Sequence, residues 1–182
     1  EAEALVPETD IRLFMQPSKM KEHPSDADLS ILLGNGDWPD LEIEPLFRRR
    51  ILTACAPAFL EQNPIERHRD LDGRTLSVHE NRPNSWVNWA RAVNTTPPRA
   101  GKVLRFDSMS AVVQAAAQGL GVAIVSWPLS KRWFKNGSLV PALNDRVVTD
   151  EEFFLAYRPR DAGREDVAAL KDWIVSEFSA DT

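Results

Sequence analysis

Few side chains in this sequence combine the types and the spacing that catalysis or metal binding requires. The three histidines, His23, His68 and His79, stand far apart, and none has a second ligating residue at helical or turn spacing. Serine, histidine and aspartate all occur, but no serine lies in a nucleophile-elbow pattern. We therefore expect no catalytic residues, no metal and no cofactor, and the sequence favours binding over catalysis.

The single cysteine, Cys55, ends an apolar segment, where a free cysteine usually behaves as a small core residue. The alternative is a redox sensor, which needs an exposed thiolate of lowered pKa, and the arginines at 48–50 could supply positive charge. Because successive side chains of a strand point to opposite faces, we interpret those arginines as a solvated strand edge. The core interpretation of Cys55 is favoured, and the redox interpretation stays open.

Three segments are candidates for binding a small molecule. Asp107 and Ser108 precede a helical run, and a helix N-terminus presents free N–H groups and a positive dipole to an anionic or polar ligand. The glycines around Asn35 permit a tight turn and a close approach of another group. Trp86 opens a second helix, where it either fills the core or forms the wall of a ligand cleft.

Alternating apolar patterns and helical periodicity predict the elements that position these segments. The predicted strands are Ile11–Met15, Asp28–Leu33, Leu46–Ala54, Arg74–His79, Val103–Phe106, Gly121–Val125 and Phe153–Tyr157. The predicted helices are Pro57–Gln62, Ser85–Val93, Met109–Gln118, Pro128–Asn136 and Arg164–Phe178. Strands that alternate with helices indicate an α/β fold with covered parallel sheets, and the clearest crossover is the strand, helix and strand around Met109–Gln118.

Composition limits the function classes. The 182 residues include 22 Lys and Arg against 27 Asp and Glu, and the net charge of −5 opposes nucleic-acid binding by this chain alone. One cysteine cannot form an internal disulfide, and no apolar run approaches the length of a membrane span. We expect a soluble, cytoplasmic chain without a membrane partner.

The order of several motifs resembles one known family. The stretch D-L-S-I-L-L-G-N-G-D-W-P at 28–39, followed by E-P-L-F at 44–47, resembles the effector-binding domain of LysR-type transcriptional regulators. The F-D-S at 106–108, the A-A-A-Q-G-L-G-V-A-I-V at 115–125 and the G-S-L-V-P at 137–141 are similar to later motifs of the same family. Two features, the segment from Trp86 to Trp89 and the G-N-G-D-W form at 34–38, resemble the branch that includes glycine-cleavage and β-lactamase regulators.

This resemblance implies a type-2 periplasmic-binding-protein-like fold, with two Rossmann-like lobes, a cleft between them and two crossover segments. Lobe I would comprise residues 1–56 and 143–182, and lobe II would comprise residues 57–142. The winged helix-turn-helix that binds DNA in the family is absent from this chain, so DNA would be contacted only through that domain. The family also implies a homodimer, and a tetramer in the full-length protein.

The resemblance further implies a ligand-sensing and dimerisation domain that binds a small-molecule effector in its cleft and modulates DNA binding and transcription. The ligand-binding residues carried over from the family pattern are Met15, Gln16, Pro17, Trp86, Ser108, Ser126 and Phe153, and the glycine turn adds Asn35. Two alternatives remain: a periplasmic solute-binding protein of the same fold, or a redox-sensing regulator that acts through Cys55.

Overall fold

The computed structural model describes residues 11–14 and 22–179. Its strands are β1 (Leu29–Gly34), β2 (Glu42–Cys55), β3 (Thr75–His79), β4 (Lys102–Phe106), β5 (Ala123–Trp127), β6 (Val140–Pro141) and β7 (Val147–Tyr157). Its α-helices are α1 (Pro57–Gln62), α2 (Ser85–Ala92), α3 (Met109–Ala117), α4 (Lys131–Lys135) and α5 (Glu165–Ser179), and short 3-10 helices span His68–Leu71 and Pro159–Asp161. Among the described residues, no helix has the length and apolar character needed to cross a membrane.

The chain divides into two compact units. The first unit comprises Glu1–Arg49 and Thr149–Thr182, and the second unit comprises Arg50–Val148. The two longest strands, β2 and β7, each contain one of the unit boundaries, so the chain passes from one unit to the other within a strand.

The first unit has its core on an antiparallel sheet. Strand β1 pairs with β7 from Leu29 opposite Tyr157 to Gly34 opposite Glu152, and β7 in turn lies beside β2. One buried cluster on this sheet consists of Leu33, Leu46, Phe47, Phe153 and Leu155, against which Ile174, Val175 and Phe178 of α5 pack. The 3.6-residue period of an α-helix brings the apolar residues of α5 onto the face that meets this sheet.

The second unit contains the parallel strands. Strand β3 pairs with β4 in parallel, from Thr75 opposite Lys102 to His79 opposite Phe106. A parallel bridge joins Leu76 of β3 to Val122, the residue before β5. The chain that enters β5 therefore lies along the edge of β3 opposite to β4. Gly121 permits this approach, because a Cβ atom there would lie 2.4 Å from the carbonyl oxygen of Thr75. Strand β5 then pairs with the end of β2 in antiparallel fashion.

Alternation along the strands of the second unit creates two buried clusters. The tryptophan cluster contains Ile51, Cys55, Ile65, Leu71, Leu76, Val78, Trp86, Trp89, Ala90, Val122, Ile124, Ala142 and Leu143. The α3 cluster contains Leu52, Ala54, Val112, Val113, Ala116, Ala123, Val125 and Leu139, with Phe106 and Met109 packed against it. Neighbouring residues such as Ile51 and Leu52 belong to different clusters, as the two-residue period of a strand requires.

Most predicted elements are confirmed, and three predictions are wrong. Residues 11–14 have no regular secondary structure, and Leu13 and Phe14 are largely exposed; Met15 lies outside the described residues. The sheets are parallel only between β3 and β4 and at the bridge into β5, whereas β1 with β7 and β2 with β5 are antiparallel. The middle arginine of the predicted solvated edge, Arg49, is buried and donates a 3.2 Å hydrogen bond to Glu151. For the strand pairing and for Arg49, the deciding contact comes from residues distant in sequence.

Candidate functional site

Three strands of the second unit end at one edge of the sheet. Strands β3, β4 and the entry to β5 run parallel, so their carboxyl ends lie on the same side. His79 is the last residue of β3, and Phe106 is the last residue of β4. Ser126 is the second-to-last residue of β5. Open α/β sheets bind ligands at the carboxyl ends of their strands. We call the ends of β3, β4 and β5 with the start of α3 the carboxyl edge.

Helix α3 begins at this edge directly after β4. Ser108 is its N-cap residue and has an extended backbone, as predicted, but its side chain makes no capping hydrogen bond. The first intrahelical hydrogen bond runs from Val112 N–H to the Ser108 carbonyl oxygen at 3.1 Å. The preceding N–H groups of an α-helix have no partner within the helix. The start of α3 therefore offers backbone donors and a hydroxyl, as the sequence indicated.

His79 is a buried residue of the carboxyl edge that the sequence reasoning did not assign to the site. It is 8% exposed, and its Nδ1 accepts a 3.1 Å hydrogen bond from the backbone N–H of Asn81. Burial, followed by the charge of Arg82, lowers the pKa of His79, and the charges of Asp107 and Glu80 oppose this shift. One feature of the sequence does indicate a site position for His79: it is the final residue of a predicted strand, and open α/β sheets bind ligands at the carboxyl ends of their strands.

The structure brings two of the predicted site residues, Ser108 and Ser126, to the carboxyl edge of the second unit. Ser108 is half-buried and Ser126 is buried. Trp86 lies in the tryptophan cluster, where its Nε1 donates a 3.1 Å hydrogen bond to the carbonyl oxygen of Ser77. Its ring meets the ring of Trp89 edge to face at 5.6 Å. Trp86 thus has a packing role, and its binding role stays a prediction.

Two further predicted residues belong to the first unit. Asn35 is exposed between β1 and β2, next to Gly36, whose positive φ of 84° suits glycine. Phe153 is buried in the core, where its ring lies 4.8 Å from the ring of Phe47. Binding roles for both residues stay predictions. Met15, Gln16 and Pro17 lie outside the described residues.

The environment of Cys55 opposes the redox interpretation. Its side chain is fully buried, and burial raises its pKa to about 11. The thiolate is the reactive form of cysteine, so a thiol with this pKa reacts slowly near neutral pH. Redox sensing through Cys55 is untested and stays a prediction. Over residues 11–14 and 22–179, no group of three or more His, Cys, Asp and Glu side chains could hold a metal ion.

A second polar feature of the second unit lies near the 3-10 helix His68–Leu71. The Nε2 of His68 and the Oδ2 of Asp145 are 2.6 Å apart, and the His68 ring meets Trp89 edge to face at 5.5 Å. An open depression of about 380 Å³ adjoins this pair and is lined by Glu66, Arg67, His68, Leu143, Asn144 and Asp145. Both members of the pair are about one-third exposed, so their attraction is screened by water.

Comparison with known sequences identifies one family. The family described as the LysR substrate binding domain matches residues 3–179. The glycine cleavage system transcriptional activator of Escherichia coli (strain K12) is 27% identical over 176 residues, a match that covers 96% of this chain and 57% of that protein. The chain therefore spans a little over half the length of this relative.

Solved structures support the same fold. The effector domain of the transcriptional regulator AmpR of Pseudomonas aeruginosa is similar with a TM-score of 0.76 at 23% identity, covering 98% of this chain and 85% of that one. The AmpR effector binding domain from Citrobacter freundii is similar with a TM-score of 0.79 at 19% identity, covering 98% and 88%. The fold is thus the type-2 periplasmic-binding-protein-like α/β fold of these domains.

Proposed function

This chain belongs to the LysR substrate-binding domain family, and from that premise we propose that it is the ligand-sensing and dimerisation part of a longer transcription regulator. The observation that carries the proposal is the family match over residues 3–179, nearly the whole chain. The relatives are transcription regulators, which favours regulation over catalysis. Because ligand binding can shift a protein between two arrangements only through different affinities for them, the effector must bind one arrangement better.

The proposed effector is a small molecule related to amino acids or to cell-wall peptides. The name of the Escherichia coli relative refers to the glycine cleavage system, which supports the first of these classes. Ser108 and Ser126 of the carboxyl edge are the described residues that we propose as contacts, and Asn35, Phe153 and Trp86 stay secondary candidates. Two compact units support two lobes, which we assign to residues 1–56 with 143–182 and to residues 57–142.

In the full-length protein we propose that this domain forms a homodimer within a tetramer, and that a separate N-terminal domain contacts DNA. A protein that acts on bacterial promoters works in the cytoplasm, and we place the full-length regulator there. The effector would change the arrangement of the assembled domains and so alter transcription.

A thermal-unfolding screen of this chain against amino acids and cell-wall peptides tests the proposal. A ligand present at one hundred times its dissociation constant stabilises the folded state by about 2.7 kcal/mol. For a chain of this size, that stabilisation raises the unfolding midpoint by roughly 5–10 °C. The Ser108→Ala variant should lose much of this shift, whereas the matched variant Ser85→Ala, at the start of α2, should retain it.

A chain that unfolds cooperatively but is stabilised by no compound of the screen would contradict the proposal. A stabilising compound whose effect is equal in the wild type and in Ser108→Ala would keep the ligand-sensing function but remove α3 from the site.

A further inference from the structure

Two buried polar atoms of the second unit lack a hydrogen-bond partner on the same face of its sheet. The indole Nε1 of Trp89 and the hydroxyl oxygen of Thr53 are buried, and neither has a partner among the described residues. Trp89 belongs to the tryptophan cluster, and Thr53 shares the strand face of Ile51 and Cys55, which also belong to it. Buried polar groups without a partner are unfavourable, and most are satisfied by protein, water or a ligand. The tryptophan cluster therefore has unused hydrogen-bonding capacity in its interior.

The depression beside the 3-10 helix His68–Leu71 adjoins this part of the cluster. Leu143 both lines the depression and belongs to the tryptophan cluster. His68, another lining residue, holds its ring 5.5 Å from that of Trp89. The backbone N–H of Ala142, which precedes Leu143, donates a 2.9 Å hydrogen bond to the carbonyl oxygen of Thr53. Each residue with an unpaired polar atom thus contacts the lining of the depression or its immediate chain neighbour.

Hydrogen bonds fix the backbone that carries the lining side chains. The Oδ2 of Asp70 accepts the backbone N–H groups of Glu66 at 3.0 Å and of Arg67 at 2.9 Å, and these bonds lower the pKa of Asp70. On the other side, the Oδ2 of Asp145 lies 2.6 Å from the Nε2 of His68. Because these positions are set before a ligand arrives, less conformational entropy is lost when one binds.

The lining side chains carry both signs of charge. Glu66 and Asp145 offer carboxylates, and Arg67 offers a guanidinium. Carboxylates bind an ammonium group, whereas a guanidinium binds a carboxylate through two parallel hydrogen bonds. A ligand with only one sign of charge would meet a like charge in the depression, and a zwitterion would not. The volume of about 380 Å³ suits a small molecule.

We propose that this depression is a second binding site, which takes a small zwitterion of the size of an amino acid or a dipeptide. Its ammonium group binds Glu66 and Asp145, and its carboxylate binds Arg67. A ligand oxygen, directly or through a water, accepts the indole N–H of Trp89. The 3-10 helix precedes the first residue of β3, so the depression lies toward the amino end of that strand, away from the carboxyl edge. The inference does not depend on the proposed ligand-sensing function.

The test is a ¹⁵N NMR titration of this chain with glycine, alanine, Gly-Gly and Ala-Ala. The indole N–H signal of Trp89 is assigned from its loss in Trp89→Phe. We expect at least one probe to shift this signal in a saturable manner. The N-acetyl and C-terminal amide forms of that probe each lack one charge, and each should bind about tenfold more weakly. Added salt should weaken the binding, because Glu66 and Arg67 are exposed.

Variants of the lining separate the two charges of the ligand. Arg67→Gln should weaken binding of the free probe by about tenfold and leave binding of its C-terminal amide unchanged. Glu66→Gln should weaken binding of the free probe and leave binding of its N-acetyl form unchanged. The matched control is Arg69→Gln, which removes an exposed arginine of the same 3-10 helix that does not line the depression. This variant should bind as the wild type does, and circular dichroism confirms that each variant is folded.

Three results would overturn the second site. If no probe shifts the Trp89 signal in a saturable manner, the depression is not a zwitterion site. If the capped forms bind as tightly as the free probe, the ligand class is wrong. If Ser108→Ala abolishes binding and Arg67→Gln does not, the ligand binds at the carboxyl edge, which keeps the ligand-sensing function and removes the second site. Binding that follows Arg67 and Glu66 supports the second site, whether or not the thermal screen finds an effector.

Discussion

The two units of the chain carry opposite net charges. The second unit contains 13 of the 22 Lys and Arg residues but only 7 of the 27 Asp and Glu residues, which gives it a net charge of +6. The first unit contains the remaining 9 basic and 20 acidic residues, which gives it −11. The overall charge of −5 is therefore the sum of two opposite contributions. An argument from net charge against binding anions applies to the first unit and not to the second, which carries the carboxyl edge.

The interiors of the units differ as well. The second unit buries tryptophans among aliphatic side chains, and Trp89 is fully buried at the centre of that cluster. The first unit buries a group of phenylalanines around Phe47 and, beside them, the guanidinium of Arg49 bonded to Glu151. Apolar packing dominates the stability of the second unit, whereas the first unit combines packing with a buried charge. Substitutions in each unit test this difference.

The largest expected effect is that of Trp89→Ala. Removing a fully buried indole leaves a cavity in the tryptophan cluster and should lower the free energy of unfolding by about 3–5 kcal/mol. Urea denaturation followed by circular dichroism measures the change. The control is Val87→Ala on the same helix, whose side chain is 40% exposed, and which should cost less than about 1 kcal/mol. Equal costs for the two variants would show that α2 does not anchor the second unit.

The sequence predicts those elements whose signals are local. Helix α1 occupies the residues expected from its proline, and α3 begins after Ser108 and ends before Gly119, whose φ of 76° suits glycine. The cap residue, the apolar run and the terminal glycine lie within a few positions of one another, so the helix needs no distant partner to define it. The family motifs lie in these same locally defined segments, which is why the fold class could be predicted.

Features that depend on distant partners could not be predicted. Alternation at residues 11–14 is a strand pattern, but a strand also requires a neighbour, and these residues have no regular structure. The sequence predicts that Arg49 is solvated, whereas in the structure β7 brings Glu151 into hydrogen-bonding contact with it. The sequence does not place His79 near the start of α3, because that position depends on the pairing of β3 with β4.

An intermediate effect is expected for Glu151→Gln in the first unit. Arg49 is only 7% exposed, and the substitution leaves its guanidinium buried beside a neutral amide. The amide oxygen can still accept a hydrogen bond, so we expect a loss of about 1–2 kcal/mol, less than for removal of the whole acceptor. The control is Glu152→Gln, whose side chain points to the other face of β7. A loss no larger than in this control would mean that the buried charge does not stabilise the first unit.

The smallest expected effect concerns Cys55, which reports on the tryptophan cluster without disturbing it. Its fully buried thiol should resist alkylation by iodoacetamide at pH 8 in the native chain and react completely in urea, where mass spectrometry counts one modification. Trp89→Ala should accelerate the native reaction, because it increases the population of opened states. The thiol ionises near pH 9.0 when unfolded and near pH 11 when folded, so the unfolded state loses its proton first. The stability linked to Cys55 is therefore intact below about pH 9 and falls as the pH rises toward about 11. Rapid labelling of the native chain at pH 8 would contradict the closed interior of the second unit and favour the redox interpretation.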